Sequence, residues 1–371
     1  MPPAKISPMY TKNAKNVDCL IRKSDWPDED LEAVTCCPIC GSKQRELLHR
    51  GLADRVFFCA PGAWDLFYCP DCTSAYLDPR PTPASIGRAY SHYFTHGGEW
   101  RKAPEHLSSL RRVLRALSNG YFNNRFGTDF QPAHPLGAWL AWLTPIKRRE
   151  LESVGRHLPK AKPGQTLLDV GCGNGIFLDF ARRAGWQAKG IDFDAQAVAY
   201  CVQKGLDVQM GGIDTLADQY ECFDWITLSH VIEHVYDPLA VLRACHRLLK
   251  PGGGLWIETP NLAAQGHHDF GTAWRGLEPP RHLVLFSHES LARALRKTGF
   301  QDIEDTPFRS LYHDLARRSQ AIARGWDPHQ IPPPCMPSLR SLRADWRGLQ
   351  NPALREFVSF TARKAACTHR Q

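Results

Sequence analysis

From residue 166 onward, short apolar runs alternate with stretches in which apolar positions recur every three or four residues. Residues 166–170 (TLLDV), 188–192 (AKGID), 206–210, 223–230 (FDWITLSH) and 254–259 (GLWIET) read as strands, each a brief apolar run bounded by glycine or polar residues. Between the first two, residues 176–184 bring Ile176, Phe177, Phe180, Ala181 and Ala184 to one helical face. Residues 195–203 and 239–249 predict two more helices, the second stopped by Pro251 and Gly252. Ser287 is placed to cap a helix reaching Lys297, with Gly299 ending it. Two further strands follow at 301–308 and 356–364. Five strand–helix units with two closing strands predict an α/β fold, a doubly wound sheet of seven strands.

Upstream the pattern differs. Residues 1–35 read as a polar, flexible arm, 36–95 as a cysteine-rich domain, and 96–160 as a basic helical connector broken by Pro135 and Pro145. The α/β domain then occupies 161–371, with a helical insertion at about 309–352 that could cover a substrate pocket or build a dimer contact. Within the connector, 106–122 places Leu107, Leu110, Leu114 and Leu117 on one face beside Arg111, Arg112 and Arg115. Such a helix docks between domains or lies on an anionic membrane.

Composition narrows the class. The 371 residues are 43% hydrophobic and 23% charged, enough to bury a core and too apolar for wholesale disorder. The longest apolar stretch, 136–146, is well short of the roughly 18 residues of a membrane span. The first residues carry Lys5, Lys12 and Lys15 without an apolar segment, so no secretory signal is read and a cytoplasmic protein is expected. The net charge of +8 is uneven: residues 97–160 hold eleven Lys/Arg against five Asp/Glu, and 309–371 eleven against four. Those segments could attract phosphate, an anionic membrane or nucleic acid.

Thirteen cysteines, an odd number in a chain with no export signal, argue against a disulfide scaffold. Four have metal spacing instead. Cys37-Pro-Ile-Cys40 and Cys69-Pro-Asp-Cys72 are two C-x2-C knuckles with 28 residues between them, the pattern of a structural zinc ribbon.

Asp169-Val-Gly171-Cys-Gly173-Asn-Gly175 lies between the first strand and its helix, where glycines let the backbone turn sharply and approach a ligand. Asp192 ends the second strand, where a carboxylate can accept from ribose hydroxyls. The spacing is G-x-G-x-G, not the dinucleotide G-x-G-x-x-G, whose last glycine falls on Ile176. LLDVGCGNG, GIDFD, FDWITLSHVIEHVYDP, RLLKPGG and ETPN in this order resemble class I S-adenosylmethionine-dependent methyltransferases. The resemblance covers about 161–308 and the last strand. It implies a Rossmann-like seven-stranded sheet and S-adenosyl-L-methionine as cofactor. Asp169, Gly171, Gly173 and Gly175 would then line the methionine portion, Asp192 the ribose and Asp214 the adenine, with Ser229 beside them.

The substrate is expected beyond the carboxyl ends of the strands. There the fourth strand delivers Ser229-His230-Val-Ile-Glu233-His234. A histidine suits the removal of a hydroxyl proton, so His230 or His234 is the expected base, with Glu233 positioning it. The segment is also similar to small-RNA 2′-O-methyltransferases, which hold a divalent ion with a glutamate, a Glu-His pair three residues later and a distant histidine; the corresponding positions here are His230, Glu233, His234 and His282, and because imidazole at 230 suits magnesium poorly a hard-cation site is not expected. The long polar segment 266–283 reads as a lid in which Trp274 stacks on a sugar or base, Arg275 and Arg281 grip phosphate or carboxylate, and His282 contributes to the catalytic group. WRGLEPPRHLVLFS (274–287) and the block 68–94 resemble methyltransferases often encoded among bacterial surface-polysaccharide genes. That implies O-methylation of a sugar, nucleotide sugar or related small hydroxyl compound. An RNA or other nucleic-acid methyltransferase, leaning on the ribbon and the basic segments, and a non-catalytic cofactor-binding regulator remain alternatives. Oligomeric state is left open.

Overall fold

Residues 26–91, 108–331 and 336–366 are described by the computed structural model. Most of the arm expected over 1–35, and Leu107, lie outside them. The cysteine-rich region forms strands β1 (Leu31–Glu32), β2 (Glu46–Leu52), β3 (Trp64–Cys69), β4 (Ser74–Leu77) and β5 (Arg80–Pro81). The second half supplies β6 (Thr166–Val170), β7 (Gln187–Asp192), β8 (Asp207–Met210), β9 (Phe223–Ser229), β10 (Leu249–Pro260), β11 (Val284–Leu285), β12 (Gln301–Asp305) and β13 (Phe357–Arg363).

Seven of these make one sheet in the order β12-β13-β10-β9-β6-β7-β8. The five central and right-hand strands are parallel, and β13 runs antiparallel to both its neighbours. The α/β fold expected from the sequence is present, strand for strand. In the central strands β6, β9 and β10 both faces are buried, which is why they read as continuous apolar runs. Alternate residues serve opposite faces: Leu168, Ile226 and Ile257 join one core, Leu167, Trp225 and Trp256 the other. The helices Ile176–Arg183, Ala195–Gln203, Pro238–Leu248 and His288–Lys297 fall where the periodicity puts them, and Ser287 makes a capping box with Ser290. The strand β10 begins earlier than its apolar run because Leu249 pairs with Phe223 ahead of an irregularity at the glycines.

The connector docks differently from its leucine stripe. In the helix Ser109–Phe126, Leu110 and Leu114 are 69% and 52% exposed, while Tyr121, Phe122 and Phe126 pack against Phe180 and Trp186. Two glycines let the connector fold tightly on itself. A Cβ at Gly120 would lie 2.0 Å from the His134 carbonyl oxygen, and one at Gly137 1.8 Å from that of Leu117. Among the described residues no helix is long and apolar enough to cross a membrane.

The second sheet joins the two halves of the chain. Its order is β11-β4-β3-β2, so the two residues of β11, contributed from beyond the fifth strand of the main sheet, pair antiparallel with β4 of the cysteine-rich region. The Leu77 amide extends the seam to the Leu283 carbonyl at 3.1 Å. Tyr76 and the buried cysteines share a core with Leu283, Val284 and Phe286. The insertion forms helices Tyr312–Ala323 and Leu339–Gln350, and Tyr312 donates to Asp269 on the helix Gln265–Phe270.

Candidate active site

The loop after β6 carries Gly171, Gly173 and Gly175 at φ of +69°, +53° and +74°. These values favour glycine. A Cβ at 171 would meet Val231 Cγ2 at 2.5 Å, whereas one at 173 would point into open space. The loop is therefore closed on one side by the segment following β9 and open on the other. Asp192 at the end of β7 braces it, accepting from the Gly173 amide at 2.7 Å through one oxygen and from the Asp194 amide at 2.9 Å through the other.

Asp169 is fully buried below this loop. One carboxylate oxygen accepts from Thr227 Oγ1 at 2.8 Å and from Arg156, while the other has no hydrogen-bond partner. Burial pushes its pKa up, with Arg156 and Thr227 opposing. A buried carboxylate oxygen without a donor, next to a glycine loop, fits the ammonium of an S-adenosylmethionine methionine moiety. Arg156 was not legible beforehand; it lies in an irregular turn at φ +47° and stacks 3.8 Å over the Phe177 ring. On the far side of Asp192, Phe193 is 74% exposed. Gly212 brings it close to Asp214: a Cβ there would lie 2.5 Å from both the Phe193 ring and Asp214 Oδ1. An exposed aromatic edge beside a carboxylate suits a purine, and the aromatic in the otherwise polar D-F-D turn was the signal for it.

Beyond β9 the chain turns at His230, whose φ is +54°. This brings His230 Nδ1 within 3.3 Å of Glu233 Oε1 and Nε2 within 3.7 Å of Glu258 Oε1, which also takes Arg309 at 3.2 Å. Ser229 ends β9 opposite Glu258. Burial lowers the His230 pKa, but Glu233 and Glu258 outweigh it and the net shift is upward. Glu233 is fully buried; burial would raise it, yet the imidazoles of His230, His234 and His282 hold it down at about 2. The rings of His234 and His282 meet edge to face at 4.7 Å. His234 Nδ1 lies 3.0 Å from the Arg281 carbonyl and 3.0 Å from Tyr90 Oη, and His282 Nδ1 lies 2.8 Å from the Gly276 carbonyl. The four residues expected to be catalytic are thus brought together.

The expected substrate-binding side chains are not open to a ligand. Trp274 is 2% exposed; its Nε1 donates to Glu356 at 3.1 Å and its ring stacks on His267. Arg281 is fully buried and bidentate to Asp54, at 2.6 and 3.0 Å. Arg275 is paired with Glu278, and its backbone amide donates to Ser319 at 3.0 Å. The segment 274–283 is a buried wedge, not a lid. The physical reason is β11: a strand that joins the cysteine-rich sheet must bury the residues leading into it.

Cys37, Cys40, Cys69 and Cys72 converge so that their sulfurs lie within 4.8 Å of one another. Cys37–Cys72 and Cys40–Cys69 are each 3.5 Å apart, far too long for a disulfide and close to the sulfur spacing of tetrahedral zinc thiolate at about 2.3 Å per bond. The amide of Gly41 donates to Cys37 O and that of Thr73 to Cys69 O, both at 2.9 Å, closing the two knuckles. The donor set fits a structural zinc ion.

Comparison with known proteins agrees with this geometry. A family profile described as a methyltransferase domain matches residues 146–305. The ubiquinone biosynthesis O-methyltransferase of Xanthomonas axonopodis pv. citri is 37% identical over 217 residues, which is 54% of this chain and 85% of that protein. Its namesake from Xanthomonas oryzae pv. oryzae is 37% identical over 145 residues, 37% of this chain. The chain spans 57% of the length of that relative. A SAM-dependent methyltransferase structure from Archaeoglobus fulgidus covers 61% of this chain and 99% of its own at 21% identity, with a TM-score of 0.42 too low to add to the strand order. Strand order, glycine loop and sequence identity converge, and the chain belongs to the class I S-adenosylmethionine-dependent methyltransferases.

Proposed function

We propose that the protein transfers a methyl group from S-adenosylmethionine to a hydroxyl oxygen of a small molecule, a sugar or related compound. The observation that carries this is the cluster of imidazoles and carboxylates at the end of β9, packed through Val231 against the glycine loop. When bound, the cofactor supplies an electrophilic methyl group on a sulfonium. The residues for it are Gly171, Gly173 and Gly175 around the methionine portion, the unpartnered oxygen of Asp169 at the ammonium, Asp192 at the ribose, and Phe193 with Asp214 at the adenine.

His230 is the residue placed to hold the acceptor's proton. Its ring is half-buried, with Nδ1 3.3 Å from Glu233, Nε2 3.7 Å from Glu258, and the Phe357 ring packed edge to face against it. In that role the imidazole would take the hydroxyl proton of the acceptor, leaving its oxygen free to receive the methyl group. Glu233 is a positioning residue in this reading. O-methyltransferase relatives at 37% identity support an oxygen acceptor, and the sugar class rests on the resemblance of 274–287 to polysaccharide-linked methyltransferases. Zinc in the ribbon serves structure. Incubation with methyl-labelled S-adenosylmethionine and a panel of nucleotide sugars and phenols tests the proposal: label is expected in a small hydroxyl compound, and label only in added RNA would contradict it.

A further inference from the structure

We propose that the connector's exposed face, formed by the helices Ser109–Phe126 and Leu136–Leu143, seats the protein on a membrane surface carrying anionic phospholipid. This face plays no part in the methyl-transfer reading. On the first helix Leu110, Val113 and Leu114 recur at one-turn spacing and stand exposed, because the far end of the same helix makes the core contacts through Tyr121, Phe122 and Phe126. The second helix adds Trp139 and Trp142, 59% and 69% exposed, and Ile146 follows, also exposed, in the helix Pro145–Val154. A Cβ at Gly137 would lie 1.8 Å from the Leu117 carbonyl oxygen, so the first two helices cross in backbone contact one turn from Leu114. Single apolar side chains in water need no explanation, but a concentration of them rimmed by polar residues marks an interaction surface.

Charge names the occupant. Residues 108–149 carry seven Lys/Arg and a single acid, Asp129, which pairs with Arg183. Arg111 and Arg112 are exposed, one and two positions after Leu110. Arg148 lies 4.4 Å over the Trp142 ring, which sets a cation on the aromatic face. A second copy placed here by two-fold symmetry would bring these cations against their own equivalents, which disfavours it. Nucleic acid would satisfy the cations and leave the aliphatic side chains in water. An anionic bilayer satisfies both: the leucines and Ile146 enter the acyl boundary, the tryptophans sit at headgroup level and the guanidiniums meet lipid phosphates. The helices lie on such a surface without crossing it, since among the described residues none is long and apolar enough to span.

The test sediments full-length protein with vesicles of phosphatidylcholine alone and of phosphatidylcholine mixed with phosphatidylglycerol. Binding is expected with the anionic vesicles and should fall away in about 1 M salt, where charges are screened beyond about 3 Å. Trp139→Ser/Trp142→Ser and, separately, Arg111→Glu/Arg112→Glu are expected to weaken it by roughly tenfold or more. Should the tryptophan variant fail to fold by circular dichroism, the arginine variant carries the comparison. Trp346→Ser, which changes an equally exposed tryptophan on the helix Leu339–Gln350, is expected to bind as wild type does. Protein left in the supernatant with anionic vesicles, equal binding to phosphatidylcholine alone, or binding lost in Trp346→Ser and kept in Trp139→Ser/Trp142→Ser would overturn the proposal. So would a dimer in solution that dissociates in Trp139→Ser/Trp142→Ser, because the face would then belong to a second copy.

Discussion

Arg281 and Asp54, 227 positions apart in sequence, form a bidentate ion pair in which both side chains are fully buried. The pair joins the two halves of the chain. Asp54 also accepts from the amides of Val56, Phe57, Cys59 and Ala60, while Arg281 donates to the Ala89 carbonyl at 2.9 Å and stacks 4.5 Å over Phe57. Burial pushes Asp54 up, but Arg281 and the amides outweigh it and hold the carboxyl below its usual range. The wedge 274–283 is therefore fixed to the ribbon by charge as well as by β11.

Removing one member strands the other. Arg281→Ala is expected to lower stability by about 3–5 kcal/mol, because it leaves the Asp54 charge buried without its partner. Arg281→Lys should recover only part, since an ammonium cannot make the two-pronged contact. Chemical denaturation measures both; a loss below about 1 kcal/mol in Arg281→Ala would mean the pair does not hold the halves together.

How much of this was legible in the sequence depends on whether a feature is local. The seven strands and their helices were, because Leu167–Leu168 or Trp225–Ile226 announce a two-faced buried strand within a few residues. The convergence of Cys37, Cys40, Cys69 and Cys72 and the glycine loop were, because spacing alone announces them. The wedge was not. Trp274, Arg275 and Arg281 look like ligand-binding side chains, and only the pairing of Val284–Leu285 with β4 shows why they are buried. Nor did Asp54 or Arg156 carry a signal, since each is defined by a partner distant in sequence or in fold.

Glu356 predicts a pH effect on stability. It is buried, accepting from the Gly266 amide at 2.8 Å and from Trp274 at 3.1 Å, and burial raises its pKa to about 7. A carboxyl whose folded pKa lies above its unfolded value near 4.5 stabilises the fold most at low pH and loses that contribution as pH rises through 7. The full difference is on the order of 3 kcal/mol. Melting curves from pH 5 to pH 8 should show wild type falling relative to Glu356→Gln; parallel curves would exclude Glu356 as the source.

The ribbon metal is expected to support more than the ribbon. Cys69 ends β3, and the turn from Cys69 to Ser74 sets β4, the strand that receives β11. Cys69→Ser should remove one zinc per chain by metal analysis and lower the melting temperature of the whole protein in a single transition. Loss of zinc with an unchanged melting temperature would show that the seam holds without it.

At the loop, Gly171→Ala is expected to abolish cofactor binding while leaving far-ultraviolet circular dichroism near wild type. A Cβ there meets Val231 at 2.5 Å and a φ of +69° disfavours alanine. Binding within threefold of wild type would show that the loop tolerates a side chain and does not cradle the cofactor.

The central claim is that the loop between β6 and its helix, with Asp192, binds S-adenosylmethionine. Calorimetric titration of the purified protein with that cofactor, and separately with a nicotinamide dinucleotide, tests it most directly. Micromolar binding of S-adenosylmethionine, weakened at least tenfold in Asp192→Ala and absent for the dinucleotide, is the predicted result. No binding of S-adenosylmethionine, or tighter binding of the dinucleotide, would contradict the account.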